Sequence, residues 1–536
     1  MSKAWVLIIA IAVLSLGCVG VAAAFLRSGG GGNLIYAMDD PYIHMAMAKN
    51  LAASGVYGVT SHGFTSSSSS PLWTLLLAGA CWLLAPREIL PLVMNFLAAA
   101  GLLWVVYAIV RDRFASKLGA LAVLLAVVFL CLMIPMIFTG MEHVLHGSLL
   151  LLLVWRCGEW LEGGRKGLGP GCIVLAILVT AARYESVFAI VALALVFAMH
   201  RRCLAAAILL AAGAVSPVLY GLISMSNGCC FLPNSLILKG HSPSSSALAD
   251  LAEFLYQGLG RLDRSPQLFM LLVACCGMLL LRLRRGPLAP MQRLFAATFL
   301  MTAAMHLQLA ETGLFYRYQT YLMTLGLVAF VVVGTEDLRC AWAWIKGLRA
   351  TGKLVLVVLI AAVAGPLCIV SLRETASLPT AMTNIYQQQY QMARFIESSY
   401  SRQPIAAHDI GAVCYKANPD LLDLYGLGSM EVARAKMDRR FDTGCIRRLA
   451  AAKGVQMIVV YDVWFDHEKS LPPEWMCVAR WRIPNNVVCT SDTVSFYAPT
   501  PDAAQRLLQN LQAFAPCLPA GVQTVYLTSG RPGSSH

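Results

Sequence analysis

Two adjacent carboxylates, Asp39 and Asp40, follow the first long apolar stretch of the chain. Acidic side chains beside a membrane are costly unless they are solvated or used for chemistry. Two neighbouring negative charges raise the pKa of one partner, which suits a general base, and the second carboxylate could orient it or hold a metal. Pro41 follows directly, so either aspartate could instead cap the helix predicted to begin there. Catalysis and helix capping both stay open at this point.

More ionisable and amide side chains stand at the ends of later apolar segments, where they face a cavity or a partner rather than lipid. His44 lies four residues after Asp40, which also fits a surface histidine. Glu142 could bind substrate or cap the next helix. Arg183 and Glu185 could serve a site or form a local ion pair, with the arginine snorkelling to the surface.

Two cations are candidates for binding a phosphate, because arginine offers a planar fork of donors and lysine a point charge. Lys239, which follows Asn234 in a predicted loop, fits this role or that of a solvated loop residue. Arg317 fits it too, or a cation–aromatic contact with Tyr316 or Tyr318.

The composition places these residues in a membrane protein. Of the 536 residues, 58% are hydrophobic and 13% are charged, whereas soluble domains are nearer a quarter charged. The formal net charge is +13, but the basic residues cluster between apolar segments. That distribution encodes membrane topology and argues against a nucleic-acid partner.

About eleven membrane-spanning helices are predicted, beginning with an uncleaved span at 4–26. The segment 71–85 is too short to cross comfortably, and a crossing there would put the basic loop 111–117 outside. We therefore expect 71–85 to lie at the outer interface. The other spans are predicted at 89–110, 118–139, 144–160, 170–184, 186–199, 203–224, 266–283, 291–309, 318–334 and 353–371.

The basic turns set the orientation, with the N-terminus inside and the C-terminus outside. The candidate site residues then fall on the outer side, which predicts one polar cavity opening outward. The turns predicted inside hold Arg111, Arg113 and Lys117; Arg165 and Lys166; Arg201 and Arg202; Arg282, Arg284 and Arg285; and Arg339, Lys346, Arg349 and Lys353.

From about residue 374 the apolar runs shorten and a soluble domain is predicted, with a helix at 385–400 and a buried strand at 456–461. The chain thus divides into a membrane domain, 1–373, and a soluble domain, 374–536. The soluble domain holds five cysteines, with Cys477 and Cys489 the nearest pair for a disulfide. The serine run 66–70 is typical of a flexible linker. The chain has no nucleotide-binding glycine pattern and no zinc-type cysteine spacing.

These residues, in this order, resemble the GT-C superfamily of membrane glycosyltransferases, and most closely the actinobacterial terminal arabinofuranosyltransferase-like family and its Gram-negative relatives. The resemblance runs from about 35 to 430. It rests on Asp39-Asp40-Pro-Tyr-Ile with Asn50-Leu51-Ala52, Thr65 to Trp73, Gly140-Met141-Glu142, Arg183-Tyr-Glu185, Leu232-Pro233-Asn234-Ser235 with Lys239, Tyr316-Arg317-Tyr318, and His408 to Ala412 with Asp423 to Leu427.

The resemblance implies a GT-C fold in the inner membrane with a periplasmic α/β C-terminal domain. It implies inverting transfer of a sugar from a polyprenyl-phosphate donor to a glycan or lipid acceptor, with Asp39 as the general base. We expect the soluble domain to bind the acceptor near Asp409. A divalent cation could bridge phosphate and carboxylates, but no ligand set demands a metal. The alternative is a transporter or flippase of lipid-linked glycans, which would show repeated halves and charges deep in its spans.

Two departures from the family pattern leave the sugar and the acceptor open. The loop before Pro71 carries five serines where relatives often have Gly-Tyr-Thr. Arg183-Tyr184-Glu185 replaces a common Arg-Pro-Glu.

Overall fold

A computed structural model describes residues 4–28, 32–114, 116–164, 167–238, 256–465 and 471–527. The chain divides into two compact units. The first comprises Met1–Val21, Leu92–Val218 and Ser242–Ala376, and the second comprises Ala22–Pro91, Leu219–His241 and Ser377–His536. The second unit therefore groups the loop that carries Asp39 and Asp40 with the predicted soluble domain.

The α-helices follow the apolar segments, and proline opens several of them, since a first-turn residue needs no N–H partner. Up to residue 347 they are α1 Trp5–Arg27, α2 Asp40–Ser54, α3 Pro71–Leu84, α4 Ile89–Val110, α5 Lys117–Leu130, α6 Met133–Phe138, α7 His143–Glu162, α8 Pro170–Ala182, α9 Ser186–Met199, α10 Cys203–Ser226, α11 Asn234–Ile237, α12 Pro266–Arg285, α13 Pro290–Leu309, α14 Thr320–Val333 and α15 Thr335–Gly347. Beyond it they are α16 Ala350–Gln387, α17 Gln389–Ser399, α18 Gly411–Ala417, α19 Met430–Met437, α20 Thr443–Lys453 and α21 Pro501–Phe514.

Fewer helices can cross a membrane than the sequence predicted. Within the described ranges, five are long and apolar enough (α1, α4, α7, α10 and α12), or six if α14 and α15, bent by 70°, form one span. The predicted span 118–139 breaks at Leu132, whose φ is 57°, into α5 and α6. Helices of 13 or 14 residues such as α5, α8 and α9 are about 20 Å long, short of a core about 30 Å thick. The protein is a multi-pass membrane protein with broken apolar helices.

The start of α1 and the loop after α4 lie on the same side of the first unit. Both line one cavity of about 330 Å³, to which Val6, Tyr107, Arg111 and Lys117 contribute. Since α1 and α4 are both candidate spans, the chain leaves this side through α1 and returns to it through α4. The segment between them therefore adds no net crossing of the membrane. This agrees with an interfacial position for α3, which packs against α2 and leaves Trp82 75% exposed.

Basic turns that were predicted to share one side do meet. Arg339 donates hydrogen bonds to the carbonyl oxygens of Arg113 and Asp112, both at 2.7 Å. Arg282 pairs with Glu336 at 2.7 Å, which brings the end of α12 to the start of α15. These contacts collect the charges at one end of the first unit, as the distribution of basic residues predicted.

A six-stranded sheet forms the core of the C-terminal part of the second unit, in the order β2-β1-β3-β5-β4-β6. Strand β1 lies between β2 and β3 and runs parallel to both, and the remaining pairs are antiparallel. The predicted strand at 456–461 is β3, and α17 lies within the predicted helix 385–400. The strands are β1 Pro404–Ala407, β2 Asp420–Asp423, β3 Met457–Val460, β4 Met476–Arg482, β5 Thr493–Ala498 and β6 Gln523–Tyr526.

The serine run is not a flexible linker, because Ser66, Ser68 and Ser70 are at most 1% exposed. Their hydroxyls form the hydrogen bonds that a buried non-helical segment needs. Ser66 Oγ accepts a bond from Ser224 at 2.8 Å, and Ser70 Oγ caps α3 through the Trp73 N–H. The flexible linker predicted from serine composition is wrong, since four of the five hydroxyls, those of Ser66, Ser67, Ser68 and Ser70, have specific partners.

The predicted disulfide between Cys477 and Cys489 does not form. The Cys489 thiol lies 3.4 Å from Gln389 Oε1, and the Cys477 thiol lies 3.9 Å from the carbonyl oxygen of Ala479. Both cysteines are free. Proximity along the chain gave the wrong pair because the two thiols contact different parts of the domain.

Candidate functional site

The carboxyl ends of the three parallel strands carry the polar residues of the second unit. Asp423 ends β2, Asp409 comes two residues after β1, and Tyr461 comes directly after β3. Ligand sites of sheets with parallel strands lie at this edge. The sheet topology therefore gathers three segments that are far apart in the sequence.

Asp39 is held at this edge by the start of α18. Its Oδ2 accepts a hydrogen bond from the Gly411 N–H at 2.7 Å, and its Oδ1 accepts one from the Ala412 N–H at 2.9 Å. Asp39 occupies the N-cap position of α2 but makes no side-chain bond to that helix. The side-chain capping of the helix at Pro41, one of the alternatives from the sequence, is therefore not made by Asp39. Its carboxylate instead accepts bonds from the first N–H groups of α18, where Gly411 is 372 positions away along the chain.

Asp409 lies in a second hydrogen-bonded group beside Asp39. Its Oδ2 accepts a bond from Gln389 Nε2 at 2.9 Å and lies 2.7 Å from the Tyr461 hydroxyl. The same hydroxyl lies 2.6 Å from Gln388 Oε1. Neither the two glutamines nor Tyr461 carries a sequence signal for a site, since single amides and tyrosines are common in helices and strands.

The two aspartates influence each other's protonation. Burial first, and then the charge of Asp409, raise the pKa of the Asp39 carboxyl to about 8, against the opposing effect of the N–H groups of Ala412 and Gly411. Burial also raises the pKa of Asp409, against its bonds to Gln389 and Tyr461. A carboxylate has about four lone-pair positions, so Asp39 keeps room to accept a proton while it is anchored.

Two predicted binding residues are engaged in contacts within the second unit. His44 is 3% exposed, and its Nδ1 lies 2.9 Å from Thr74 Oγ1, so the surface histidine considered from the sequence is wrong. Asn234 donates from Nδ2 to the carbonyl oxygens of Gly426 and Leu427, at 3.0 and 3.1 Å. His44 therefore joins α2 to α3, and Asn234 holds the loop after β2.

A charged cluster lies at one end of the helices of the first unit. Arg183 donates to Glu142 at 2.5 Å and to the two oxygens of Glu185 at 3.0 and 2.6 Å. The Arg183 side chain is 5% exposed. Its guanidinium lies 4.9 Å from the ring centroid of Tyr318, and that of Arg317 lies 4.8 Å from the same centroid.

This cluster brings together four of the predicted residues, namely Glu142, Arg183, Glu185 and Arg317. The Arg183–Glu185 ion pair and the contact between Arg317 and Tyr318, both considered from the sequence as alternatives to a role in a site, are present. The third alternative is not, because Glu142 makes no side-chain capping bond to α7. From the sequence, Tyr318 was considered only as a neighbour of Arg317, yet its ring contacts the guanidinium groups of both Arg317 and Arg183.

The predicted site residues divide between the two units. Asp39, Asp40, His44, Asn234 and Asp409 belong to the second unit, and the four members of the charged cluster belong to the first. Lys239 lies outside the described residues. Within the described part of the chain, no group of three or more His, Cys, Asp or Glu side chains is arranged to hold a metal ion. The single outward cavity stays a prediction.

Comparisons with known proteins bear on the fold. A family described as "Domain of unknown function (DUF8728)" matches residues 383–497. No curated protein sequence matches the chain. Among solved structures, ArnT from Cupriavidus metallidurans bound to undecaprenyl phosphate is similar, with a TM-score of 0.50, 12% identity, and coverage of 92% of this chain and 99% of that one.

The oligosaccharyltransferase of Archaeoglobus fulgidus in its apo form is also similar, with a TM-score of 0.52 and 11% identity, over 96% of this chain and 79% of that one. The likeness extends over nearly the whole chain in both comparisons. The protein thus has the fold of these membrane proteins: a helical membrane part with a mixed α/β domain at its C-terminal end.

Proposed function

We propose that the protein is a GT-C glycosyltransferase that moves a sugar from a polyprenyl-phosphate donor to a hydroxyl of a cell-envelope glycan or lipid. The reaction takes place at the periplasmic face of the inner membrane. Support for the donor comes from the fold shared with ArnT, which was crystallised with undecaprenyl phosphate. Support for glycosyl transfer comes from the fold shared with an oligosaccharyltransferase and from the resembling sequence blocks.

The observation that carries the proposal is the anchored Asp39 carboxylate. It follows the first candidate span, and backbone N–H groups of α18 fix both of its oxygens. A base is most effective when its pKa lies near the working pH, and burial together with Asp409 raises the pKa of Asp39 to about 8.

In the proposed reaction, Asp39 accepts the proton of the acceptor hydroxyl as its oxygen attacks the anomeric carbon of the donor sugar. The bond between that carbon and the phosphate oxygen breaks, and its electron pair leaves with the polyprenyl phosphate. Attack from the opposite side inverts the anomeric carbon. Asp40 and Asp409 assist by setting the charge around the base, and Asp409 lies where the acceptor is proposed to bind.

The leaving phosphate needs cations rather than an acid, since it is already anionic. Arg183 is balanced by two carboxylates, Glu142 and Glu185, so this trio carries one formal negative charge. We therefore assign the trio to holding the Tyr318 region in place. Arg317 and Lys239 remain the proposed phosphate-binding cations.

The experiment is transfer by the purified protein in detergent, where there is no bilayer to cross and a flippase would produce no product. The donor is the lipid-linked sugar fraction, and the acceptor is the envelope fraction, both from cells lacking the gene. Loss of a general base typically costs about 10²–10⁴-fold in rate, so Asp39→Asn should reduce transfer to that extent.

Asp502→Asn is the matched control, because Asp502 is an exposed carboxylate in the first turn of α21. It should transfer at the wild-type rate. Full transfer by Asp39→Asn would remove Asp39 as the base. An absence of transfer by the wild-type protein, together with movement of lipid-linked glycans across vesicle membranes, would favour the flippase.

A further inference from the structure

The segment Met430–Lys453 of the second unit is strongly basic. It holds seven basic and three acidic residues, a formal net charge of +4. Five of its arginines are exposed and form what we call the basic surface: Arg434, Arg439, Arg440, Arg447 and Arg448. Neither the proposed reaction nor the sequence comparison gives these residues a role.

Ion pairing balances only part of this charge. Arg440 pairs with Asp438, and Arg447 pairs with Glu474 at 2.5 Å. Arg439 and Arg448 have no ion-pair partner among the residues that the structure describes. Arg439 also has a positive φ of 55°, which places it at the turn after α19. The surface thus keeps an excess of positive charge facing solvent.

The basic surface begins where a candidate span ends. Arg434 donates a hydrogen bond to the carbonyl oxygen of Gly228, two residues beyond the end of α10. Helix α19 packs against α11, which follows the same span. The headgroup layer is about 5–7 Å thick on each side of the hydrocarbon core, so a bilayer that α10 crosses up to its C-terminal end would bring lipid headgroups to Arg434.

Exposed apolar side chains lie in the same two segments, the one after α10 and helix α19. Phe231 and Leu232, in the segment after α10, are 40% and 46% exposed, and Met437 at the end of α19 is 50% exposed. On α10 itself, Leu222 is 57% exposed, as expected for a lipid-facing residue. Apolar side chains beside arginines are the composition of a surface that rests on a bilayer.

We propose that the basic surface binds the anionic phospholipid headgroups of the membrane that α10 spans. A bilayer is favoured over a soluble partner, because Arg434 contacts the segment that directly follows α10, a candidate membrane span. Each basic residue near an anionic surface contributes a factor of about five to the local binding equilibrium. The contact holds the C-terminal domain on the membrane and does not depend on the proposed reaction.

The test uses the full-length protein in nanodiscs made either of phosphatidylcholine alone or with about one third phosphatidylglycerol. Hydrogen–deuterium exchange is followed in peptides covering Met430–Lys453. We expect exchange to slow by about five-fold or more when phosphatidylglycerol is present. The difference should shrink in high salt, which screens exposed charges.

The variant Arg439→Gln/Arg448→Gln should lose the dependence on phosphatidylglycerol. Its matched control is Arg402→Gln/Arg506→Gln, which removes two exposed arginines outside the segment. Arg402, like Arg439, has a positive φ, so the two double variants make similar backbone demands. The control should keep the wild-type lipid dependence, and thermal unfolding of both variants in detergent checks that they fold.

Equal exchange of the wild-type protein in the two kinds of nanodisc would overturn the proposal. So would the same loss of lipid dependence in both double variants. Slowing by undecaprenyl phosphate in phosphatidylcholine discs, without any effect of phosphatidylglycerol, would also overturn it and assign the surface to the donor lipid.

Discussion

Replacing Gly411 by alanine tests whether the placement of Asp39 matters, without altering its carboxylate. A Cβ at position 411 would lie 2.1 Å from the backbone carbonyl oxygen of Asp39 and 2.7 Å from its Oδ2. Contacts this short cannot persist, so α18 and the start of α2 must move apart. The side chain would then lose one or both of the N–H bonds that fix it.

The cost of Gly411→Ala follows from two contributions. Overpacking of a tight contact costs about 1–3 kcal/mol, and each lost hydrogen bond to a charged group costs about 1.5–3 kcal/mol. With one bond lost, a destabilisation of roughly 2.5–6 kcal/mol is therefore expected. For a folding unit of roughly 150–250 residues, each kcal/mol of lost unfolding free energy lowers the Tm by roughly 2–4 °C.

The assay combines thermal unfolding in detergent with the transfer reaction. Gly444→Ala is the matched control, because the nearest atom to its added Cβ is a side-chain oxygen of Asp442 at 3.4 Å. It should keep the wild-type Tm and activity, whereas Gly411→Ala should lower both. An unchanged Tm for Gly411→Ala would refute the tight contact. A lowered Tm with full activity per folded molecule would refute the link between the placement of Asp39 and catalysis.

Two further predictions address charge. The charge of Asp409 raises the pKa of Asp39, and the base works when it is deprotonated, so activity should rise as the pH rises through about 8. In Asp409→Asn this rise in activity should come at a lower pH. A pH–activity profile that does not shift in the variant would contradict the coupling between the two aspartates. Glu142→Gln removes the charged acceptor of one buried Arg183 hydrogen bond while Glu185 still balances the arginine, and should destabilise the protein by about 1.5–3 kcal/mol, whereas Glu159→Gln, in an exposed pair, should cost less than about 1 kcal/mol. Equal Tm values for Glu142→Gln and Glu159→Gln would contradict the second prediction.

Residue type and order were enough to predict several features. Three of the five basic turns, those at Arg113, Arg282 and Arg339, meet at one end of the first unit, as expected if charge distribution encodes topology. Glu142, Arg183, Glu185 and Arg317 meet because each stands at a helix end, where such residues need polar partners. The short segment that became α3 was recognised by its length, and the mixed α/β domain by its change in periodicity.

Other features depend on contacts between distant segments, which periodicity does not encode. The bond from Asp39 to Gly411 joins positions 372 apart, and the Tyr461–Asp409 pair requires knowledge of the strand order. About eleven spans were predicted, whereas five or six candidates are found among the described residues, because apolar stretches were counted without their breaks, such as the left-handed Leu132. The prediction for the serine run was wrong because composition does not show that four of its five hydroxyls have specific partners.

The anchoring of Asp39 changes how the C-terminal domain should be studied. Removing residues 374–536 would remove the proposed acceptor-binding domain, but it would also remove the two N–H groups that fix the proposed base. Loss of activity on truncation therefore could not distinguish an acceptor-binding domain from one that positions Asp39. Gly411→Ala perturbs the positioning of Asp39 and leaves the side chains at the carboxyl edge of the sheet unchanged. A fall in the maximal rate with unchanged acceptor affinity would then assign the domain to positioning the base, and a loss of affinity alone would assign it to the acceptor.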